Sequence, residues 1–170
     1  MKRDREPIAQ GVAVHYQPQR HLLKDRIILV TGASDGIGRE AALTYARYSA
    51  SVILLGRNDE KLRAVAQEIE REGGIPARWF TLDLLTCTPQ ACQQLAQQIS
   101  MHYPRLDGVL HNAGLLGDIC PMDEQKPEVW QQVMQVNVNG TFMLTQALLP
   151  LLLRSDAGSL VFTSSSVGRQ

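Results

Sequence analysis

Cysteine, long apolar runs and net charge are all scarce in this chain, and each scarcity removes a class of function. The cysteines are three, Cys87, Cys92 and Cys120, and the histidines four, His15, His21, His102 and His111. An odd count with no zinc-like spacing to histidine predicts reduced, unmetallated thiols, with neither a disulfide framework nor a metal site. The longest apolar stretch, Ala147 to Leu153, is too short to span a bilayer and carries Pro150, and nothing resembles a signal peptide. No membrane partner and a cytoplasmic location are therefore expected. Seventeen Lys plus Arg balance seventeen Asp plus Glu. That balance leaves no field to attract nucleic acid or an anionic surface, so small molecules are the expected partners. There is no internal repeat and no low-complexity segment.

What is present is an alternation. Residues 1–24 are polar, carry Lys2, Arg3, Arg5, Pro7 and Pro18, and show no period, which predicts a loose amino-terminal arm. Residues 25–170 read as one domain of short apolar strands separated by helices. Strands are expected at Ile27–Val30, Ser51–Leu55, Arg78–Leu82, Gly108–His111 and Ser159–Thr163. Helices are expected from Gly36 to Ser49, Asp59 to Glu72, Pro89 to Tyr103 and, as one long helix, Pro127 towards Leu153. Strands that are apolar throughout need cover on both faces. The pattern thus predicts an α/β fold, a doubly wound parallel sheet in three α/β/α layers. In such sheets ligands bind beyond the carboxyl ends of the strands, where the polar clusters of this chain fall.

The first of these clusters is Thr31-Gly32-Ala33-Ser34-Asp35-Gly36-Ile37-Gly38, directly after the first strand. Gly32 suits a sharp turn, Gly36 a close approach of backbone to a pyrophosphate, and Gly38 tight packing of the new helix, whose amino terminus faces the anion. Arg39 stands where a nucleotide-triphosphate P-loop would need Lys-Ser/Thr. A dinucleotide is the expected ligand. Leu82-Asp83-Leu84, His111 to Gly114, Asn137 to Gly140 and Ser164 to Gly168 follow in order. Together with the glycine loop, these motifs resemble those of the short-chain dehydrogenase/reductase (SDR) family, over about Asp25 to Gly168, with a Rossmann-like fold left incomplete at its carboxyl-terminal end.

The resemblance implies roles residue by residue. Ser34 and the amides of Gly36 and Ile37 would face the pyrophosphate. Asp35 stands where NADP-using members often carry a base, and reads as a turn or N-cap residue pointing outward. Where NAD-binding members carry an acid at the ribose, this chain has Gly56 followed by Arg57, which can fork onto a 2′-phosphate. NADP is therefore favoured over NAD. Asp83 would accept from the adenine amino group with Leu84 packed nearby, or would close an Asx-type turn. Asn112, Ala113 and Gly114 would bring backbone against the cofactor. The matching Asn in the family bends its helix and holds a water in a proton relay, which implies that role for Asn137. Ser165 would be the catalytic serine, donating to the substrate oxygen. The apolar loop Leu115 to Met122 would line the substrate cleft.

One family feature is missing. Tyr16, Tyr45, Tyr48 and Tyr103 are followed four residues on by Arg20, Ser49, Val52 and Asp107, so no Tyr-x-x-x-Lys pair occurs. The family places that pair beyond the position of Gln170, so the chain is expected to be the front of a longer polypeptide and inactive alone. The expected parent is an NADP-dependent oxidoreductase acting on a carbonyl or secondary alcohol, as a homodimer or homotetramer. A non-catalytic nucleotide-binding or interaction protein is the alternative. An isomerase or lyase on the same scaffold would call for T-G-x-x-G-x-x-G, which this chain does not match.

Overall fold

The computed structural model describes residues 18–165. Five strands form one parallel sheet: β1 (Ile27–Thr31), β2 (Ser51–Gly56), β3 (Arg78–Thr81), β4 (Gly108–His111) and β5 (Ser159–Phe162), in the order β3-β2-β1-β4-β5. The doubly wound expectation holds. Helices α1 (Gly36–Arg47), α2 (Asp59–Arg71) and α3 (Pro89–Ser100) join successive strands, each within a few residues of its expected bounds.

Alternate residues of each strand feed opposite faces, the period-two geometry of a pleated sheet. Leu29, Ile53, Leu55 and Val109 pack with Ile99, Leu144 and Leu148 on one face. Val30, Val52, Leu54 and Leu110 pack with Leu43, Leu62 and Ile69 on the other. The helix starts carry side-chain caps of the expected kind. Asp35 accepts from the Gly36 N–H, Asn58 from the Lys61 N–H at 2.9 Å, and Thr88 from the Ala91 N–H at 3.2 Å. Gly73, at φ +81°, ends α2 in the left-handed conformation that glycine adopts without strain.

The expected single helix from Pro127 to Leu153 is not one helix. It is α4 (Pro127–Met134), a π-helical segment at Gln135–Gly140, and α5 (Thr141–Leu152). Gly140 packs there on the chain after β3, where an added Cβ would come within 2.8 Å of the Leu84 carbonyl oxygen. The expected loose arm lies mostly outside the described residues. Its last part is tethered, since the Leu23 N–H donates to the Tyr48 carbonyl at 3.0 Å and the His21 ring meets the Ser49 hydroxyl at 2.6 Å.

At the amino ends of the strands, buried Asp107 ties β1 and β4 together. It accepts from the Ile27 N–H at 2.9 Å, Arg105 Nε at 2.9 Å, the Ser155 hydroxyl at 2.6 Å and Arg26 at 3.3 Å. Burial works against its charge, but the donors from Ser155, Arg105 and Ile27 outweigh it and hold its pKa at about 2.

Candidate functional site

The opposite end of the sheet opens into a cleft of about 400 Å³ at the carboxyl tips of β1, β2, β3 and β4. Gly32 and Ser34 come to it from the loop after β1, Gly56 and Arg57 from the tip of β2, Leu82 to Leu85 from β3, and Asn112 to Leu115 from β4; Gln132 and Val136 close one side.

The glycine loop is shaped by close approach. Gly32 sits at φ +65°, and a Cβ on it would lie 3.0 Å from the Ala113 Cα. A Cβ on Gly38 would lie 2.3 Å from the Gly32 carbonyl oxygen, so no larger residue fits where α1 crosses its own entry loop. Gly36, at φ +52°, has nothing within 4 Å of its Cβ position. Open space therefore lies beside the first residue of α1, whose own N–H is capped by Asp35. Ile37 beside it is exposed.

Thr31 joins the two central loops, its buried hydroxyl accepting from the N–H groups of both Asn112 and Ala113 at 3.0 Å. Sequence reasoning passed over this residue, although a Thr closing an otherwise aliphatic buried strand was a usable signal. Gln132 was passed over too; only its spacing of four from Val136 hinted at a shared helical face.

Asp35, in the loop after β1, and Arg57, in the loop after β2, are held differently. Asp35 points away from the cleft onto Lys61 of α2, Oδ2 to Nζ 2.8 Å, and its carboxyl is held below the usual range by Lys61 and the Gly36 N–H. Arg57 lines the cleft and makes no hydrogen bond or ion pair among the described residues. Asp83 Oδ1 accepts from the Leu85 N–H at 3.0 Å, an Asx turn at the rim.

Asn137 lies in the π-helical segment and clasps the loop after β4. Its Oδ1 accepts from the Leu115 N–H at 2.8 Å and its Nδ2 donates to the Leu115 carbonyl at 2.9 Å. Each amide atom keeps capacity for one further bond. Ser165 is exposed, three residues past β5, whose tip is tied to β4 by the Thr163 N–H to the His111 carbonyl at 2.9 Å and by the Thr163 hydroxyl to Asn112 Oδ1 at 3.2 Å. Ser166 to Gly168 lie outside the described residues. Of the apolar loop, only Leu115 lines the cleft. Leu116, Gly117, Asp118 and Met122 instead wall a separate groove of about 470 Å³ with Val129, Trp130 and Val133 of α4.

Among the described residues no group of three His, Cys, Asp or Glu is placed to hold a metal, and no helix is long and apolar enough to cross a membrane.

Known proteins match both the sequence and this geometry. The oxidoreductase YciK of Escherichia coli K12, itself uncharacterised, is 78% identical over 157 residues, which cover 92% of this chain and 62% of YciK. The 0.95 Å structure of yciK from E. coli matches with a TM-score of 0.90 at 79% identity, over 92% of this chain and 64% of that one. A protein of E. coli CFT073 solved in complex with NADPH matches with a TM-score of 0.89 at 78% identity, over 90% of this chain and 64% of the other. The chain thus spans under two thirds of the length of these relatives. The family model for short chain dehydrogenase matches residues 26–170. With the family's pattern running through every strand tip that builds the cleft, the chain belongs to the short chain dehydrogenase family.

Proposed function

We propose that the cleft binds NADP(H) and that the protein is an oxidoreductase interconverting a carbonyl compound and a secondary alcohol. The observation that carries the cofactor reading is Arg57: a guanidinium at the tip of β2, beside Gly56 where no carboxylate stands, lining the cleft and unengaged by any described side chain. A fork of N–H donors there suits a 2′-phosphate, and a missing acid removes its repulsion. The open space over Gly36 and the small residues Gly32, Ala113 and Gly114 leave room for a pyrophosphate and ribose against backbone. The NADPH complex of the CFT073 relative supports the same reading.

Bound there, NADPH would supply a hydride from its nicotinamide ring to a carbonyl carbon, and the substrate oxygen would take its proton from water. The protein's own residues position and polarise. Ser34 and the Ile37 amide would hold the pyrophosphate, the Gly36 N–H being capped by Asp35, while Asp83 and Leu84 would bracket the adenine and Asn112 to Gly114 would form the floor. The Ser165 hydroxyl donates to the substrate oxygen, where negative charge grows as the hydride arrives. Asn137 holds the loop after β4 through Leu115 and has one donor and one acceptor position left for a water. Exposed Phe142 and Leu149 on α5, and Leu153 just past it, support assembly as a homodimer or homotetramer.

Fluorescence titration tests the cofactor assignment. Arg57→Ala should weaken NADPH binding by about 1.5–3 kcal/mol, the scale of a charge-assisted hydrogen bond, and leave NADH binding nearly unchanged. Equal losses for both dinucleotides would reject it.

A further inference from the structure

The π-helical segment grips two walls of the cleft at once. Asn137 holds the loop after β4 through Leu115, and Gln135, two residues earlier, holds the chain after β3: its Nε2 donates to the Leu84 carbonyl at 3.2 Å. In the sheet β3 and β4 are separated by β2 and β1, so no ladder hydrogen bond joins their tips. The Gln135 amide is itself oriented. Asn139 Nδ2 donates to its Oε1 at 3.3 Å, which turns the Nε2 end to Leu84. Gly140 brings backbone to the same place, where an added Cβ would lie 2.8 Å from the Leu84 carbonyl oxygen. Among the described residues the other donor to that oxygen is the Cys87 thiol at 3.5 Å, a weak one. The rest of this wall is pinned elsewhere: the Leu82 N–H donates to the Gly56 carbonyl at 2.9 Å and the Leu85 N–H to Asp83 Oδ1 at 3.0 Å. Gln135 stands behind the wall and does not itself line the cleft, whereas Leu82 to Leu85 do.

We infer that Gln135 is a positioning residue for the adenine half of the dinucleotide: its hydrogen bond to the Leu84 carbonyl holds the wall against which the adenine lies. The inference rests on the cofactor reading above, in which Asp83 and Leu84 bracket that ring. Gln135 touches no ligand and acts through Leu84. NADPH, NADH and adenosine 5′-monophosphate all carry the adenine half, so the loss of this bond should reach all three alike.

The test uses Gln135→Met and Gln135→Glu, at a temperature where thermal melts show the variants folded. Dissociation constants are read for NADPH and NADH by fluorescence titration, and for adenosine 5′-monophosphate by competition against NADPH. Met keeps the reach of the side chain and removes the donor; Glu keeps its shape and the acceptor for Asn139 but turns an acceptor onto the Leu84 carbonyl. Gln135→Met should weaken all three ligands by the same factor, roughly fivefold, the scale of one neutral hydrogen bond, and Gln135→Glu should weaken them at least as much. A side chain that merely stabilises the fold would lower the melting temperature and leave the three constants within twofold, and that result overturns the inference. A loss confined to NADPH would place Gln135 at the 2′-phosphate, and a loss in both dinucleotides with the monophosphate unchanged would place it on the loop after β4. Either outcome rejects the inference while the cofactor reading stands. If the unsubstituted protein binds none of the three, the cofactor reading falls and takes the inference with it.

Discussion

His111, at the end of β4, is a neutral imidazole held between two elements. The Thr145 hydroxyl gives its proton to the Thr141 carbonyl at 2.7 Å, so His111 Nε2 carries the ring hydrogen and donates to Thr145 at 2.9 Å. Nδ1 is left as a buried acceptor without a partner among the described residues, while the ring stacks on Phe162 at a centroid distance of 4.9 Å. Burial pushes its pKa down to about 4. The unfolded chain titrates near 6.5, so it takes up the proton first as pH falls. Stability is therefore full above about pH 6.5 and is lost progressively down to about pH 4, by about 3 kcal/mol for this one group. Urea denaturation at pH 7.5 and 4.5 should show that loss, and His111→Leu should flatten it. A His111→Leu protein with the same acid slope would show that other groups carry it.

The π-helical segment shows how far an element could be read from its residues. Apolar runs bounded by Gly, Pro, Asn and Asp made the strands and three helices legible, because burial on both faces of a parallel sheet demands such runs. Asn137 within a valine-flanked helix signalled a local conflict with helix propensity. The widened turn itself was legible only through the family resemblance, since it depends on a clasp to Leu115, twenty-two residues back in the chain. The Asp35–Lys61 pair, the Thr31 staple and the turning of the loop beyond Leu115 towards α4 were illegible for the same reason: each joins residues whose proximity only the folded sheet creates. Asn137→Ala removes both bonds of the clasp and leaves the Leu115 amide and carbonyl unpaired. Both bonds are exposed, so the loss should cost roughly 0.5–1.5 kcal/mol of stability. Amide exchange in the Asn112–Leu116 loop should quicken, with α1 and α2 unaffected. Unchanged exchange in that loop would mean the clasp is dispensable.

At the scale of the molecule the two ends of the sheet are built to opposite purposes. The amino ends are locked by Asp107, and the carboxyl ends are left open as the cleft. Because the folded pKa of Asp107 lies below its unfolded value near 4, its contribution of about 2 kcal/mol is complete above pH 4 and disappears as pH falls to about 2. Below pH 4, where His111 has already titrated, Asp107→Asn should remove the remaining slope in a plot of denaturation midpoint against pH. A persistent slope would assign it to other carboxylates. The segment Gln135–Gly140 governs the same two-ended plan through phase. A π turn holds about one residue more than an α turn, so it rotates everything after it by roughly 100°. That offset lets α4 present Gln132 towards the cleft while α5 turns Leu144, Leu148 and Leu151 into the core. A deletion of one residue between 135 and 140 would let the rod close as continuous α-helix with the leucine stripe still facing the sheet. A substitution that keeps the residue count but rewinds the segment as α-helix would swing that stripe by roughly 100°.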